Sequence, residues 1–365
     1  MAMKFWVTAP FFYPDMNRPW SDLLNDMLSI VDAAEDLGFE GITINENQFQ
    51  NYVANPSALT FAAVAAARTK RLRIVPGVVV LPAYNPLLIA SEISLLDHLA
   101  PGRTGVGVAR GGSRYTLDRI GVDPAEARAI YEESLEIIRR LWVEDEVEYD
   151  GKYFSFPSTT LVPKPATKPH PDLWVASQSV DGARKVGQQG LNLITAPNYG
   201  SFEPHGDFEA LLQSYNDAVA ESGKPRGEVM ALRHTWVGRT EEEATRFFDD
   251  FVNEYNYYMS LVKGEGTTGS REERLAARGL GEKREREFVT AGRMKPEQYS
   301  ISSDNLYEKY ADPVLTTPDR MIERFKGYEE MGVDHLACLV AVGMPIEEVI
   351  KNMKMMAEEV LPAFR

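Results

Sequence analysis

Eight short β runs that alternate with helical segments predict an α/β fold, a (β/α)8 TIM barrel with insertions. Three observations carry that expectation. The runs lie near residues 5, 42, 77, 106, 175, 193, 233 and 338, spread over the whole 365-residue chain. They are nearly all apolar rather than alternating, as parallel strands covered on both faces are. The stretch from Leu72 to Ser113 is a complete strand–helix–strand unit, L-R-I-V-P-G-V-V-V-L-P, then Pro86 to Leu99, then T-G-V-G-V-A-R-G-G. A right-handed crossover makes its two strands parallel neighbours.

The elements follow in order. Lys4 to Pro10 is a β run, and Ser21 to Leu37 has helical spacing that stops at Gly38. Phe39 to Ile44 is the second strand, closing on Asn45-Glu46-Asn47-Gln48, and Asn55-Pro56-Ser57 starts an Ala-rich helix through Arg68. After the 72–113 unit, Pro124 to Val143 is a long amphipathic helix with Pro at its start. Val147 to Phe156 turns at Asp150-Gly151 and reads as a β-hairpin within an excursion over 147–172. The αβ alternation resumes with strand Leu173 to Ala176, helix Ser179 to Gln189, strand Leu191 to Ala196, helix Asp207 to Ser222 and strand Val229 to Val237. Glu241 to Val262 is helical, but 263–316 is Gly- and charge-rich without a clean period. Helix Pro318 to Met331, strand Asp334 to Val342 and helix Ile346 to Leu361 complete the set. The breaks at 147–172 and 263–316 read as insertions in a single domain, 1–365, the second of them mobile.

Composition narrows the function. The net charge of −15 and pI near 5.0 argue against a nucleic-acid surface, which needs clustered Lys and Arg. The single Cys338 sits in a buried-looking run and reads as core packing. M-A-M-K-F-W has no signal-peptide character and no apolar run reaches about 18 residues, so a cytoplasmic location and no membrane contact are expected.

In a barrel the chemistry lies at the carboxyl ends of the strands. Here those ends are Pro10 to Tyr13, Asn45 to Gln48, Leu81-Pro82, Arg110 to Tyr115, Ser177 to Ser179, Pro197 to Tyr199, His234 to Trp236, and Gly343. They hold aromatics and amides with one Glu, two Arg (Arg110 and Arg114) and one His. Successive ends carry no carboxylate pair for glycoside hydrolysis, no spaced His or Cys metal set, and no Lys for a Schiff base. Such a pocket suits a large planar organic cofactor with an anionic tail. Two places suit a phosphate. Arg110 is followed by Gly111-Gly112, where backbone can approach closely and the guanidinium can fork onto oxygens. The turn through Ser177, Gln178, Ser179 and Asp181 opens a helix whose first amides face the mouth. The structural alternatives are that Ser179 only caps the helix and Arg110 only makes a surface salt bridge. The G-x-G at Gly105 and Gly107 lies inside a strand and is no dinucleotide fingerprint.

The stretches N-E-N-Q-F at 45–49, N-P-S-A-L at 55–59, V-V-V-L-P-A-Y-N-P at 78–86, L-L-D-H-L-A-P-G-R at 95–103, V-G-V-A-R-G-G at 106–112, E-I-I-R-R-L-W at 136–142, G-K-Y-F-S-F at 151–156 and E-E-V-L-P-A-F-R at the C-terminus, in this order and spacing, resemble the bacterial-luciferase-like flavin-dependent monooxygenase superfamily. The resemblance covers most of the chain. It implies reduced FMN as cofactor, supplied by a separate flavin reductase, with oxygen forming a flavin hydroperoxide that attacks an organic substrate. It implies phosphate contacts at Arg110 and over Ser177 to Asp181, a non-proline cis peptide at Gly77-Val78 against the flavin face, a mobile insertion after the seventh strand, and a homodimer or heterodimer. Members with luciferase-type chemistry often carry His directly after the Glu of the second strand end. Here Glu46 is followed by Asn47 and Gln48, and Asn cannot shuttle protons near neutral pH. Asn47, Glu46 and His234 are therefore the catalytic candidates, with a core role the alternative for His234. Phe12, Gln48, Tyr115, Tyr199 and Trp236 are the substrate-facing candidates, for an apolar or aromatic molecule. Two other readings stay open: a deazaflavin-dependent dehydrogenase on the same barrel, and a non-catalytic subunit of a heterodimer.

Overall fold

The computed structural model describes residues 2–13, 18–49, 53–196, 208–245, 314–340 and 344–365. The apolar runs become eight parallel strands: β1 (Lys4–Ala9), β2 (Gly41–Ile44), β3 (Arg73–Val80), β4 (Gly105–Ala109), β7 (Asp172–Ala176), β8 (Asn192–Thr195), β9 (Val229–Val237) and β11 (His335–Leu339). Each pairs with the next in that order, and β11 returns to β1, so the sheet closes. Closure leaves no edge, which is why runs this apolar are tolerated. The excursion at 147–172 contains the antiparallel hairpin β5 (Val147–Asp150) and β6 (Ser155–Thr159).

The helices outside the barrel are α1 (Trp20–Asp36), α2 (Ala58–Arg68), α3 (Pro86–Leu99), α4 (Arg114–Arg119), α5 (Ala127–Val143), α6 (Val180–Gln189), α7 (Phe208–Ser222), α8 (Glu241–Thr245), α9 (Pro318–Glu330) and α10 (Ile346–Met355). Their ends follow the sequence chemistry. Ser57 Oγ accepts from Thr60 N, Asn85 accepts from Leu87 N beside Pro86, and Gly190 closes α6 in the left-handed conformation. The barrel interior is filled by Trp6, Val75, Trp174, Ile194, Met230, Leu232 and Ala337. Space there explains Gly107: a Cβ would lie 2.9 Å from Ile194 Cδ1 and 3.1 Å from the Pro76 carbonyl oxygen. The larger core lies between sheet and helices, and Cys338 is fully buried in it, its thiol pushed up to about 12 by burial.

Charges close the amino end of the barrel. His335 Nδ1 accepts from Trp6 Nε1 at 2.8 Å, so the ring proton sits on Nε2, 3.1 Å from Glu228 Oε2. Arg73 bridges Glu40 at 3.3 Å and Asp172 at 2.5 Å and lies over the Trp6 ring, while Lys4 is 3.9 Å from both Glu40 and Glu228.

Three local features differ from the sequence expectation. Val314–Thr316, which that expectation puts in the insertion, is a buried strand, β10, pairing with Thr235–Val237 of β9. Arg114–Arg119 is a short helix capped by Ser113. The last helix widens into a π turn at Met356–Val360 and ends in a 3-10 turn at Leu361–Phe364. The rest of the 263–316 insertion, and the helix expected beyond Thr245, lie outside the described residues.

Candidate functional site

A cavity of about 1050 Å³ opens at the carboxyl ends of the strands. Its inner wall is apolar: Gly77, Val78, Val175, Ile194, Ala196 and Leu232. The Gly77–Val78 peptide is cis, and the β3–β4 register shifts between Gly77 and Val79. Asn45, Glu46 and Asn47 form one side, and Arg110 to Gly112 with Ser177 to Ser179 form the outer rim.

Glu46 is buried at the end of β2 and holds several segments together. Its Oε2 accepts from the Ala58 amide at the start of α2 at 3.0 Å, and its Oε1 from Gln48 Nε2 at 3.0 Å. The Tyr84 hydroxyl and the Val80 amide also donate to it. Burial raises its pKa, and the four donors pull the other way. Burial, then the Glu46 charge, pushes the Tyr84 phenol strongly upward, so the phenol keeps its proton. Gln48 also bonds the Pro56 carbonyl at 3.3 Å. Glu46 and Gln48 thus tie β2, α2 and the end of β3 together, and Asn45 and Asn47 line the cavity on either side of Glu46 in the chain.

The rim carries the cationic and donor groups. Arg110 is exposed and makes no ion pair or hydrogen bond to a described residue, so the salt-bridge alternative finds no partner there. Gly111 has φ +78°, and a Cβ on it would lie 2.7 Å from Val80 Cγ1; Gly112 has open space. On the facing side Ser179 Oγ caps α6 through the Gly182 amide at 3.2 Å, and Ser177 Oγ donates to the Ser179 carbonyl at 3.3 Å. A Cβ on Gly182 would lie 2.1 Å from Ser177 Oγ, so glycine keeps this hydroxyl in place. The amides of Val180 and Asp181 begin α6 ahead of its internal bonds, as an anion site requires.

The other sequence candidates fall as follows. Gln178 lines the cavity, whereas the Asp181 side chain is exposed beside it. His234 is buried in β9 opposite Leu339 and lies outside the cavity lining; burial, then the neighbouring Arg233 charge, pushes its ring down to about 3. Phe12 and Trp236 are buried in the outer core and also lie outside the lining; Trp236 does so because β9 runs on past the barrel rim and is covered there by β10. Tyr115 sits in α4, and Tyr199 lies outside the described residues. Sequence reasoning missed the inward face of α5. Arg128 and Tyr131 line the cavity, and among the described residues the buried Tyr131 hydroxyl has no hydrogen-bond partner, nor has Asn45 Oδ1. The available signal was that these α5 residues share a face with Leu135 at helical spacing.

The lining carries five cations (Arg110, Arg128, Arg139, Arg140, Lys185) against three carboxylates (Glu46, Glu132, Glu136). In a chain of net charge −15 this is a local cationic site. An apolar slot leading to a cationic, hydroxyl-rich rim fits a planar ring with an anionic tail, and the orphaned Tyr131 and Asn45 oxygens fit a polar ligand between them.

Comparison with known proteins agrees with this barrel fold. The sequence model of the luciferase-like monooxygenase family matches residues 3–335. The chain is 29% identical over 349 residues, 94% of this chain and 90% of the other, to the oxygenase component of flavin-dependent trigonelline monooxygenase from Acinetobacter baylyi. Among solved structures, the oxygenating constituent of 3,6-diketocamphane monooxygenase from Pseudomonas putida, in complex with FMN, superposes with TM-score 0.73 at 18% identity, covering 99% of this chain and 98% of that one. An F420-dependent secondary alcohol dehydrogenase in complex with an F420-acetone adduct superposes with TM-score 0.69 at 18% identity and full coverage, 100% of both chains.

Proposed function

The chain belongs to the luciferase-like monooxygenase family, and from that premise we propose that it is the oxygenase of a two-component, FMN-dependent monooxygenase acting on an apolar or aromatic organic substrate. The observation that carries this reading is Arg110, without an ion-pair partner among the described residues, on the rim of an apolar slot that the amino end of α6 also lines. When bound, reduced FMN supplies the two electrons with which dioxygen gives one oxygen atom to the substrate and one to water.

The chain's own residues do the rest. Arg110, Ser177, Ser179 and the first amides of α6 hold the phosphate, with Arg128 and the Tyr131 hydroxyl beside them. Gly77, Val78, Ile194 and Leu232 exclude water from the ring. Asn47 offers its side-chain amide as a hydrogen-bond donor in the cavity and moves no proton. Glu46 acts through Asn47 and the β3 end as a positioning residue. The exposed Leu88, Leu95 and Leu99 of α3 with Val64 of α2 suit a dimer through these helices. No described helix is long and apolar enough to cross a membrane; the reading keeps a cytoplasmic location, where a flavin reductase is the partner.

The test is anaerobic titration with reduced FMN, then turnover with an added reductase and oxygen. FMN binding and substrate-dependent oxygen uptake by the purified chain support the reading. Binding of a deazaflavin with no affinity for FMN would replace it by the dehydrogenase alternative. Turnover by this chain alone excludes a silent subunit. The Arg110→Ala change is expected to weaken FMN by about 1.5–3 kcal/mol, roughly 10- to 150-fold in Kd, with Arg110→Lys between.

A further inference from the structure

The loop that closes β2 leaves one acceptor unserved at the cavity. Asn55, buried beneath it, fixes the main chain on both sides of Glu46. Its Nδ2 donates to the Asn45 carbonyl at 2.8 Å, and its own carbonyl accepts from the Asn47 amide at 3.0 Å. The Glu46 carboxylate is taken by its four donors. The Asn45 side chain has no share in this clamp. Asn45 lines the cavity, and its Oδ1 is shielded from water without a hydrogen-bond partner among the described residues.

The neighbouring strands explain why no donor reaches it. Ile44 pairs with Pro76 of β3 on one side and with Ala9 of β1 on the other. One step further along each register, Asn45 comes level with Gly77 and with Pro10. The first has no side chain and the second has no amide hydrogen. Val78, Val80 and Ala109, the lining that follows on β3 and β4, add no side-chain donor. A shielded acceptor without a donor is costly, which points to a donor carried by the occupant of the cavity.

A flavin ring supplies such a donor in one redox state. Oxidised, its N5 bears a bare lone pair; two-electron reduction adds a proton there and makes it an N–H. An amide oxygen matches the N–H and is repelled by the lone pair. We propose that Asn45 sets the redox preference of the flavin site, its Oδ1 accepting from the N5–H of reduced FMN and finding no donor at N5 of oxidised FMN. This rests on the reading of the apolar slot as the flavin-ring site. It suits a chain that takes reduced flavin from a separate reductase and must release the oxidised flavin left after turnover.

The experiment titrates the full chain anaerobically with oxidised and with reduced FMN, in the native sequence, Asn45→Leu and Asn45→Ala. The native chain is expected to bind reduced FMN about tenfold tighter than oxidised FMN, or more. Each variant is expected to cut that ratio about tenfold, equal to about 30 mV in the two-electron potential of the bound flavin, through weaker binding of the reduced form. The two variants differ in bulk, so the same change in both reads the lost acceptor rather than altered packing, and neither removes a described side-chain hydrogen bond. A ratio unmoved in the variants overturns the role of Asn45. So does an equal loss for both redox forms, which would place Asn45 against a group present in both, such as the ring N3–H. A native chain that binds both forms equally overturns it too, and each of these results leaves the FMN reading standing. Binding of neither form by the native chain removes the proposed function and this inference together.

Discussion

The two ends of the barrel handle charge in opposite ways, and two carboxylates show it. At the floor, Glu228 is partly exposed and its pKa is held down to about 2, first by the His335 hydrogen bond. At the mouth, Glu46 is buried and its pKa is raised by desolvation in spite of four donors. The floor pairs its cations: Lys4 and Arg73 both meet carboxylates. The mouth presents Arg110, Arg139 and Lys185 to the cavity without described partners. Paired charges hold the strand starts in register, and unmatched ones are available to a ligand. Acid should therefore act with opposite signs at the two ends, relieving Glu46 and unfastening Glu228.

Breaking the mouth should have the largest effect. Glu46→Ala removes the acceptor of the Ala58 amide and the Tyr84 hydroxyl and leaves the Gln48 amide with only the Pro56 carbonyl. A loss of roughly 3–4 kcal/mol is expected, read from the denaturant midpoint, with weaker flavin binding as the Asn47 loop loosens. Glu46→Gln retains an acceptor oxygen and should lose less. If Glu46→Ala costs no more stability than an exposed substitution, the clamp is rejected.

This contrast also marks what the sequence made legible. The eight strands and their helices were readable because both periodicities and the caps at Ser57, Asn85 and Gly190 agree. That Arg110, Gly111 and the Ser177–Ser179 turn meet at one mouth follows from the convergence of strand ends in a parallel barrel. The same rule does not place Phe12, Trp236 and His234, which lie outside the cavity lining, since a strand-end position does not say whether the side chain meets the cavity or the core. β10 has three residues and makes sense only against β9, so no local pattern announces it. The α5 face holding Arg128, Tyr131 and Arg139 looked like the flank of an amphipathic helix, because whether a neighbouring helix leaves a gap there is a tertiary property.

The next largest effect separates His234 from the site. Its ring pKa of about 3 lies below the ordinary 6.5, so the unfolded chain binds the proton first as pH falls. Stability from keeping the ring neutral is therefore complete above about 6.5 and lost towards 3. Between pH 7 and 4 the loss should be roughly 3 kcal/mol at about 1.4 kcal/mol per unit. In His234→Gln this part of the pH slope should vanish whatever the variant's stability at pH 7, as urea melts at both pH values would read. An unchanged slope would mean that the ring titrates near its ordinary value and remains a proton carrier.

The smallest effect is at the floor, and it is the sharpest test of whether the ends are independent. Glu228 has a folded pKa of about 2 against an ordinary 4.5. Its contribution is thus present above about 4.5 and lost as pH falls towards 2. Its side chain is 35% exposed, so solvent screening keeps the contribution below about 1 kcal/mol. Glu228→Gln should make the acid limb of the stability curve shallower between those values, and should leave flavin affinity unchanged. Glu228 precedes β9 at the end of the barrel away from the cavity, with Trp6, Trp174 and Met230 packed in the interior between. A tenfold loss of flavin binding in this variant would show that floor and mouth are coupled through that packed interior, and the division of labour between paired and unpaired charges would fail with it.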